Sequence, residues 1–159
     1  MIRRLIMLGC CVASFAAAGT AVAAEPVVTD IDIPLTSLGV DPVVSSLCGF
    51  DVEIFQEGRV RVIDFSDGTR QLSSHKTFYW TANGKSLAER TNHTIVFDAD
   101  ESTAFRGTVF NLVVPGVGPA LKESGLFAFD SDGNVRIAGL HQVLEGTDNL
   151  PALCGYFAA

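Results

Sequence analysis

The feature that most constrains the fold of this chain is an alternation of apolar and polar side chains, with a period of two, that runs through most of it. In residues 47–55, Phe50, Val52 and Ile54 share one face of an extended strand, while the acidic side chains between them share the other. This alternation is typical of β-strands, and residues 47–55 are predicted to open the folded domain.

Tight-turn signals divide the alternating sequence into strands. Asn83-Gly84 is the strongest, because both residues tolerate the positive φ of a two-residue hairpin, and Glu57-Gly58 and Asp67-Gly68 predict turns in the same way. The predicted strands are 47–55, 59–65, 70–82, 85–97, 103–114, 124–129 and 135–141, with a short edge strand at 29–34. No segment has the pattern of a three-turn helix, although 119–123 and 150–153 each suit a single helical turn.

The sequence therefore predicts an all-β protein built as an antiparallel meander of about seven or eight strands. Such a sheet hides its edges either by closing into an up-and-down β-barrel or by folding into a β-sandwich. We favour the barrel, because its first and last strands are neighbours and Cys48 and Cys154 flank the domain accordingly.

The N-terminus has the three parts of a secretory signal peptide, predicted to span residues 1–24. Arg3 and Arg4 are followed by an apolar stretch at 5–18 and then by small residues, with cleavage after Ala23 or Ala24. The apolar stretch is shorter than the ~20 residues of a transmembrane helix, and lipidation at Cys10 is a weaker alternative. We expect a secreted or cell-envelope protein without a transmembrane segment in the mature chain.

The charge of the mature chain excludes some partners. The sequence has 11 basic and 18 acidic residues, and loss of Arg3 and Arg4 leaves 9 against 18, a net charge of −9. A surface this acidic disfavours nucleic acid and anionic lipid. Residues 25–46, interrupted by prolines, are predicted to form an N-terminal arm, and 47–159 a single β domain.

Cleavage leaves two cysteines, Cys48 and Cys154, an even number in an exported chain. We therefore predict one structural disulfide. The two residues are about a hundred positions apart and form no Cys-x-x-Cys motif, so a redox or metal-binding role is not expected.

Several turn and cysteine positions also carry a resemblance to known proteins. The chain resembles small exported bacterial β proteins that have a signal peptide, this paired-cysteine layout and no assigned activity. The resemblance implies the compartment, the disulfide and the β architecture, and it implies no catalytic residues. It rests on the segments 47–50, 64–68, 82–86, 129–134 and 153–155.

No motif predicts a metal site or a catalytic centre. Residues 130–134 resemble the start of a calcium loop, but Val135 and His141 stand where an EF-hand needs Gly and Glu, so a hairpin turn is predicted. The acidic cluster at 98–101 is read as a solvated turn. Acid–base catalysis by a carboxylate with a histidine stays open, the candidates being Glu53, Asp64, Asp98, Tyr79, His75, His93 and His141. We predict no metal and no cofactor.

The most informative feature for function is that residues 108–114 are apolar on both faces of the predicted strand. A second face of this kind is covered by the arm, a second subunit or a ligand inside a barrel. The residues predicted to line a ligand pocket are Phe78, Trp80, Phe105, Phe110, Phe127, Phe129 and His141. Side chains of this kind also fill the core of a small barrel, which is the alternative interpretation.

Three functions follow from these patterns. The favoured one is a non-enzymatic exported protein that binds a small apolar ligand or a protein partner. The alternatives are a small barrel enzyme of the cyclase or isomerase kind acting on a hydrophobic substrate, and a surface component with a role in adhesion.

Overall fold

The computed structural model describes residues 24–146 and 148–159. The predicted signal peptide, apart from its last residue, lies outside the described residues, as does Cys10. The elements in chain order are β1 Val27–Val40, α1 Pro42–Cys48, β2 Glu53–Asp64, β3 Arg70–Ala82, β4 Lys85–Phe97, β5 Thr103–Val114, β6 Gly118–Phe129, β7 Val135–His141, α2 Gln142–Glu145 and α3 Leu150–Ala158.

The seven strands form one antiparallel sheet in the order β1 to β7, which confirms the all-β meander. Consecutive strands pair throughout, as expected where short turns join neighbours. Among the described residues β1 and β7 pair on one side only, so the sheet is not closed. Closure into a barrel, as against a sandwich, stays a prediction.

The region predicted as an arm contains the longest strand of the sheet. β1 has 14 residues and pairs with β2 along its whole length. The ladder shifts register between Ile33 and Thr36 and again between Ser37 and Gly39. These irregularities accommodate Pro34, which cannot donate a ladder hydrogen bond and is tolerated because β1 is an edge strand.

Residues 47–48, predicted as strand, instead end a helix. The Asp41 side chain caps α1 by accepting hydrogen bonds from the backbone of Val43 at 3.0 Å and Val44 at 2.8 Å. Pro42 opens the helix, and Gly49 closes it in the left-handed conformation. The capping residue, the proline at the first turn and the closing glycine favour a helix here, in spite of the apolar–polar alternation that follows them. α3 likewise has nine residues where a single turn was predicted.

The turn predicted at Glu57-Gly58 is absent, because β2 continues through it as one strand. Gly58 has a φ of 145°, and a Cβ there would overlap the carbonyl oxygen of His75. The dipeptide marks a bend within a strand and not a hairpin.

Three further glycines stand side by side across the sheet. Gly107 pairs with Gly125, and Gly125 pairs with Gly139. All three have positive φ, and a Cβ on any of them would collide with the backbone of the neighbouring strand. We call them the glycine row. They allow strands β5, β6 and β7 to bend at the same level.

The core lies at the end of the sheet where the helices pack, which we call the helix end. Here β4 and β5 separate, since their ladder stops at the pair Asn92 and Thr108. α3 packs at this end against α1, β5 and β6, and its Leu153 and Phe157 are fully buried. The disulfide prediction is supported, because Cys48 in α1 and Cys154 in α3 lie at bonding distance with Cα atoms 5.0 Å apart. The buried apolar residues are Val44, Val52, Trp80, Ala82, Leu87, Leu112, Val114, Ala120, Leu121, Leu153 and Phe157.

Candidate ligand-binding site

A pocket of about 340 Å³ lies on β5 and β6, against β7 and α2. It brings together five of the seven residues that the sequence predicted as a ligand lining, namely Phe105, Phe110, Phe127, Phe129 and His141. The volume is at the lower end of small-molecule sites, which span roughly 300–1,000 Å³. An apolar cavity with few polar groups is the usual form of such a site.

Strand register places three of the phenylalanines on one face of the sheet. Phe105 is paired with Phe127, and Phe129 is two residues further along β6, so all three point to the same side. The rings of Phe105 and Phe127 are 6.4 Å apart between centroids, and those of Phe127 and Phe129 are 4.7 Å apart and edge to face. Edge-to-face packing of this kind fixes the rings as a preformed wall.

A β-bulge adds Phe110 to the same wall. Phe105 and Phe110 are five positions apart, an odd separation that puts residues of a regular strand on opposite faces. The β5 ladder shifts register between Thr108 and Phe110, and Phe110 pairs with Glu123. The extra residue, Val109, also lines the pocket, so both apolar faces noted in residues 108–114 contribute here.

Two glycines of the glycine row, Gly107 and Gly125, line the pocket between the phenylalanines. Their lack of side chains leaves the space that the surrounding rings enclose. The same two glycines bend β5 and β6, so they provide both the curvature of the strands and the space of the pocket.

One end of the pocket is polar and is formed by Glu123 of β6 and His141 at the end of β7. Both side chains are buried, and the Glu123 Oε2 lies 2.9 Å from the His141 Nδ1. The other oxygen, Oε1, accepts a hydrogen bond of 2.6 Å from the backbone N–H of Val143 in α2. The Nε2 of His141 lies 3.4 Å from the carbonyl oxygen of Ala138. This network fastens α2 to the sheet beside the pocket.

The remaining two predicted lining residues lie elsewhere. Trp80 is buried at the helix end, where its Nε1 donates a hydrogen bond of 2.8 Å to Glu89, and Phe78 packs against the same core. Both share the core side of the sheet but do not line the pocket.

The other candidates for acid–base chemistry are dispersed away from the pocket. Asp64 pairs with Arg70 on the surface, and Asp98 accepts a hydrogen bond from Ser102 in the turn before β5. The Tyr79 hydroxyl donates to Glu57, and this hydrogen bond raises the pKa of the tyrosine.

His75 and His93 lie in adjacent strands, and neither lines the pocket. His75 is exposed, whereas burial of His93 lowers its pKa. Of the three histidines, only His141 belongs to the pocket.

The calcium-like sequence 130–134 is a hairpin turn, as predicted. The Asp130 carboxylate accepts hydrogen bonds from the backbone and side chain of Asn134 and from the backbone of Asp132. The Asn134 contacts hold the pKa of Asp130 below its ordinary range. Within the described residues no group of three or more His, Cys, Asp or Glu side chains is arranged to hold a metal.

Sequence reasoning missed the polar partner and the α2 side of the pocket. Glu123 faces His141 across the β6–β7 ladder, a pairing visible only once the register is known. Val143 reaches the pocket through α2, for which the sequence carries no helix signal beyond Gly146, which ends it with positive φ.

No protein-family model, curated protein or solved structure matches the chain. In the part of the chain that the structure describes, the helices are all too short or too polar to span a bilayer.

Proposed function

We propose that this protein is an exported, non-enzymatic carrier of a small apolar ligand, which it binds in the pocket formed by β5, β6, β7 and α2. The observation that carries the proposal is the convergence of Phe105, Phe110, Phe127 and Phe129 on one cavity of about 340 Å³. Four aromatic rings, two of them packed edge to face, together with one polar end suit an uncharged hydrophobic molecule.

The charge of the chain narrows the ligand class. Glu123 stands at the polar end of the pocket, and the mature chain has an expected net charge of −9. Both features disfavour a ligand that carries a carboxylate or phosphate. A neutral aromatic or terpenoid molecule fits this pocket better than a fatty acid.

One observation favours an enzyme as the second candidate. A buried histidine beside a carboxylate is a common general base, and His141 and Glu123 form such a pair at the pocket wall. However, the His141 Nδ1 contacts Glu123 and its Nε2 faces the Ala138 carbonyl oxygen, so neither nitrogen is directed at the cavity. This geometry suits a structural role, in which His141 holds Glu123 in place and Glu123 accepts the hydrogen bond from Val143 of α2.

Export is part of the proposal and has its own support. Cys48 and Cys154 lie at disulfide distance, and stable structural disulfides belong to oxidising compartments. N-terminal sequencing of protein recovered outside the cytoplasm is expected to give chains starting at Ala24 or Glu25. An intact Met1 in the recovered protein would contradict export.

The binding proposal is tested with Nile red, an uncharged apolar dye, titrated against the wild-type protein and Phe127→Ala. Removing the ring costs about 1.5–3 kcal/mol of apolar burial, so we expect binding at least about tenfold weaker. Phe65→Ala is the matched control, because Phe65 is a partly exposed phenylalanine after β2 and does not line the pocket. Equal dye binding by wild type and Phe127→Ala would place the dye elsewhere and contradict the proposal.

The carrier and enzyme hypotheses predict different chemical fates for the natural ligand. A carrier returns the ligand chemically unchanged after prolonged incubation with protein, whereas an enzyme yields a product whose formation stops in His141→Ala. Time-resolved mass spectrometry of the extracted small molecule distinguishes the two.

A further inference from the structure

The two outermost strands of the sheet, β1 and β7, share an unusual feature: each exposes apolar side chains along an edge that pairs with nothing in the described chain. Ile31 in β1 is 46% exposed, and Ile137 in β7 is 50% exposed. Val27 and Val28 in β1 and Val135 and Leu140 in β7 are also exposed, and the rest of β1 adds Leu35, Leu38 and Val40. Free apolar edges are templates for pairing with another strand.

These two edges lie at the same level of the sheet. Residues 135–141 of β7 pair with 123–129 of β6, and continuous pairing through β5, β4 and β3 leads to 59–64 of β2 and 27–32 of β1. Successive cross-strand pairs run from one edge of the sheet to the other, and one such row begins at Val27 in β1 and ends at Val135 in β7. Residues 27–33 and 135–141 are both seven residues long.

These segments carry only part of the protection that edge strands normally have, since 27–33 contains the charges of Asp30 and Asp32 but no proline and no register shift. In β1, Pro34 and both register shifts lie beyond residue 33, and 27–33 pair regularly with β2. β7 contains no proline, and its only permanently charged residue is Arg136. Prolines, bulges and several charges are the usual means by which an edge avoids association. The segments are therefore open to a partner strand.

Face and charge are complementary between the two edges. On the face that carries the pocket, β1 shows Val27, Thr29 and Ile31, and β7 shows Val135, Ile137 and Gly139. Of these six residues, only Thr29 has a polar side chain. The opposite face shows Asp30 and Asp32 on β1 and Arg136 on β7, and Asp30 is already paired with Arg61 of β2 at 2.7 Å, so Asp32 is the acid left for a new partner. Joining the edges places apolar residues beside apolar ones and acids near a base.

Two considerations argue against each edge pairing with the same edge of a second copy: charge for β1 and uncovered apolar surface for β7. Two antiparallel copies of 27–33 bring Asp30 and Asp32 of each copy close to those of the other, which is repulsive, although Arg61 and Arg59 opposite them on β2 reduce this repulsion. Self-pairing of β7 leaves the apolar β1 edge of both copies uncovered. Pairing β1 with β7 covers both edges with one kind of contact.

We propose that the partner of these edges is a second copy of this chain, β1 of one copy pairing with β7 of the next around a closed ring. In a meander of seven strands, β1 and β7 run in the same direction, so the junction is a parallel pair and successive copies are related by rotation. The ring extends the apolar face beside the pocket with residues of the neighbouring copy. The assembly does not depend on whether the pocket binds a ligand.

The first test is the mass of the secreted wild-type protein by sedimentation or light scattering over a wide concentration range. A discrete multiple of the chain mass is expected. A single-chain mass throughout the range would overturn the proposal.

Edge-specific variants test which strands meet. Ile31→Lys blocks β1, Ile137→Lys blocks β7, and each variant is expected to lose the ring. Leu35→Lys is the control, because Leu35 is 62% exposed on the same strand but lies beyond the level of β7. Dispersal by Ile137→Lys alone would indicate β7 self-pairing, and unchanged assembly of both variants would indicate another surface; both results overturn the proposal.

Mixing the two blocked variants gives the most specific result. Each retains one intact edge, so an equimolar mixture is expected to form a complex of one Ile31→Lys chain and one Ile137→Lys chain, while neither assembles alone. Absence of this complex contradicts a β1–β7 junction. If the Lys variants fail the circular dichroism check for folding, Val28→Lys and Leu140→Lys, on the opposite face of the same strands, replace them.

Discussion

At the scale of single residues, Glu89 is the most unusual side chain of the core. It is fully buried on β4, with no basic residue among its hydrogen-bond partners. Its Oε1 accepts from the backbone N–H of Asn111 and its Oε2 from the Trp80 Nε1, both at 2.8 Å. Because the β4–β5 ladder has ended at Asn92, the side chain supplies a link that the backbone lacks.

Glu89 is expected to make the protein more stable at acidic pH. Burial raises the pKa of this carboxyl, and the hydrogen bonds from Asn111 and Trp80 oppose the shift only in part. The folded chain therefore keeps a proton that the unfolded chain has already lost. The contribution of Glu89 is fully present below the ordinary carboxyl pKa of 4.5 and is lost as pH rises through the raised value.

The measurement is urea unfolding of wild type and Glu89→Gln between pH 4 and pH 8. Surface acids with lowered pKa, such as Asp130, act in the opposite direction and are common to both proteins, so they cancel in the difference. The free energy of unfolding of Glu89→Gln minus that of wild type is expected to increase with pH. A difference that stays constant would show that Glu89 titrates normally in the fold.

At the scale of elements, the glycine row sets the shape of strands β5 to β7. Gly125 has a φ of 143°, and a Cβ there would overlap the carbonyl oxygen of Ala138 in β7. Alanine therefore adds both backbone strain and a collision with a neighbouring strand. Since Gly125 also lines the pocket, its conformation affects the shape of the pocket.

We expect Gly125→Ala to destabilise the fold by about 3 kcal/mol or more, since unfavourable φ costs about 1–3 kcal/mol before the collision is counted. Gly133→Ala is the matched control, because Gly133 also has positive φ, in the turn before β7, but a Cβ there has nothing within 4 Å. The control is expected to lose only about 1 kcal/mol. Equal losses in thermal or urea unfolding would mean that the close approach of β6 and β7 is unimportant.

Strands could be predicted from the sequence where the turn residues and the apolar–polar alternation indicate the same boundaries. The β3–β4 hairpin turns at Asn83 and Gly84 as expected, with Ala82 paired to Lys85. Gly58 was misread, because the same dipeptide chemistry serves a bend within a strand as well as a turn. α1 was missed because the alternation after residue 49 was extended backwards across the Gly49 stop to residue 47, and because Asp41 was assigned to an irregular arm and not read as a helix cap.

At the scale of the whole molecule, the disulfide connects two helices that close the core. Cys48 ends α1 and Cys154 lies within α3, 106 residues later. α3 packs against β5 and β6, and its Tyr156 carbonyl oxygen accepts a hydrogen bond of 2.8 Å from Lys85 of β4, so the bridge connects α1 to the place where β4 and β5 separate. The cysteine count predicted the bridge, but the sequence analysis predicted no helix at α1 and only a single turn at α3.

The Cys48→Ser, Cys154→Ser double variant is expected to lose about 2–5 kcal/mol in the free energy of unfolding, the usual effect of removing a bridge that closes a long loop. Urea unfolding of the wild type with a strong reductant is expected to match the variant. An unchanged urea midpoint in the variant would contradict a stabilising role.

The site was partly predictable, for reasons visible in particular residues. Aromatic residues at even spacing in a regular strand, such as Phe127 and Phe129, lie on one face and in one pocket, as their spacing indicates. Phe110 belongs to the same wall only through a bulge, and Glu123 meets His141 only through register, neither of which a single sequence specifies. Trp80 was grouped with them by chemistry alone, and tertiary packing placed it in the core.

The most direct test of the pocket as a ligand site is native mass spectrometry of the protein recovered from its own host, followed by denaturing analysis of the same sample. The account predicts one uncharged small molecule per chain, present in wild type and Phe65→Ala, lost on denaturation and absent or strongly reduced in Phe127→Ala. Wild-type chains whose native and denatured masses are identical, in protein that also fails to take up an added apolar dye, would contradict it.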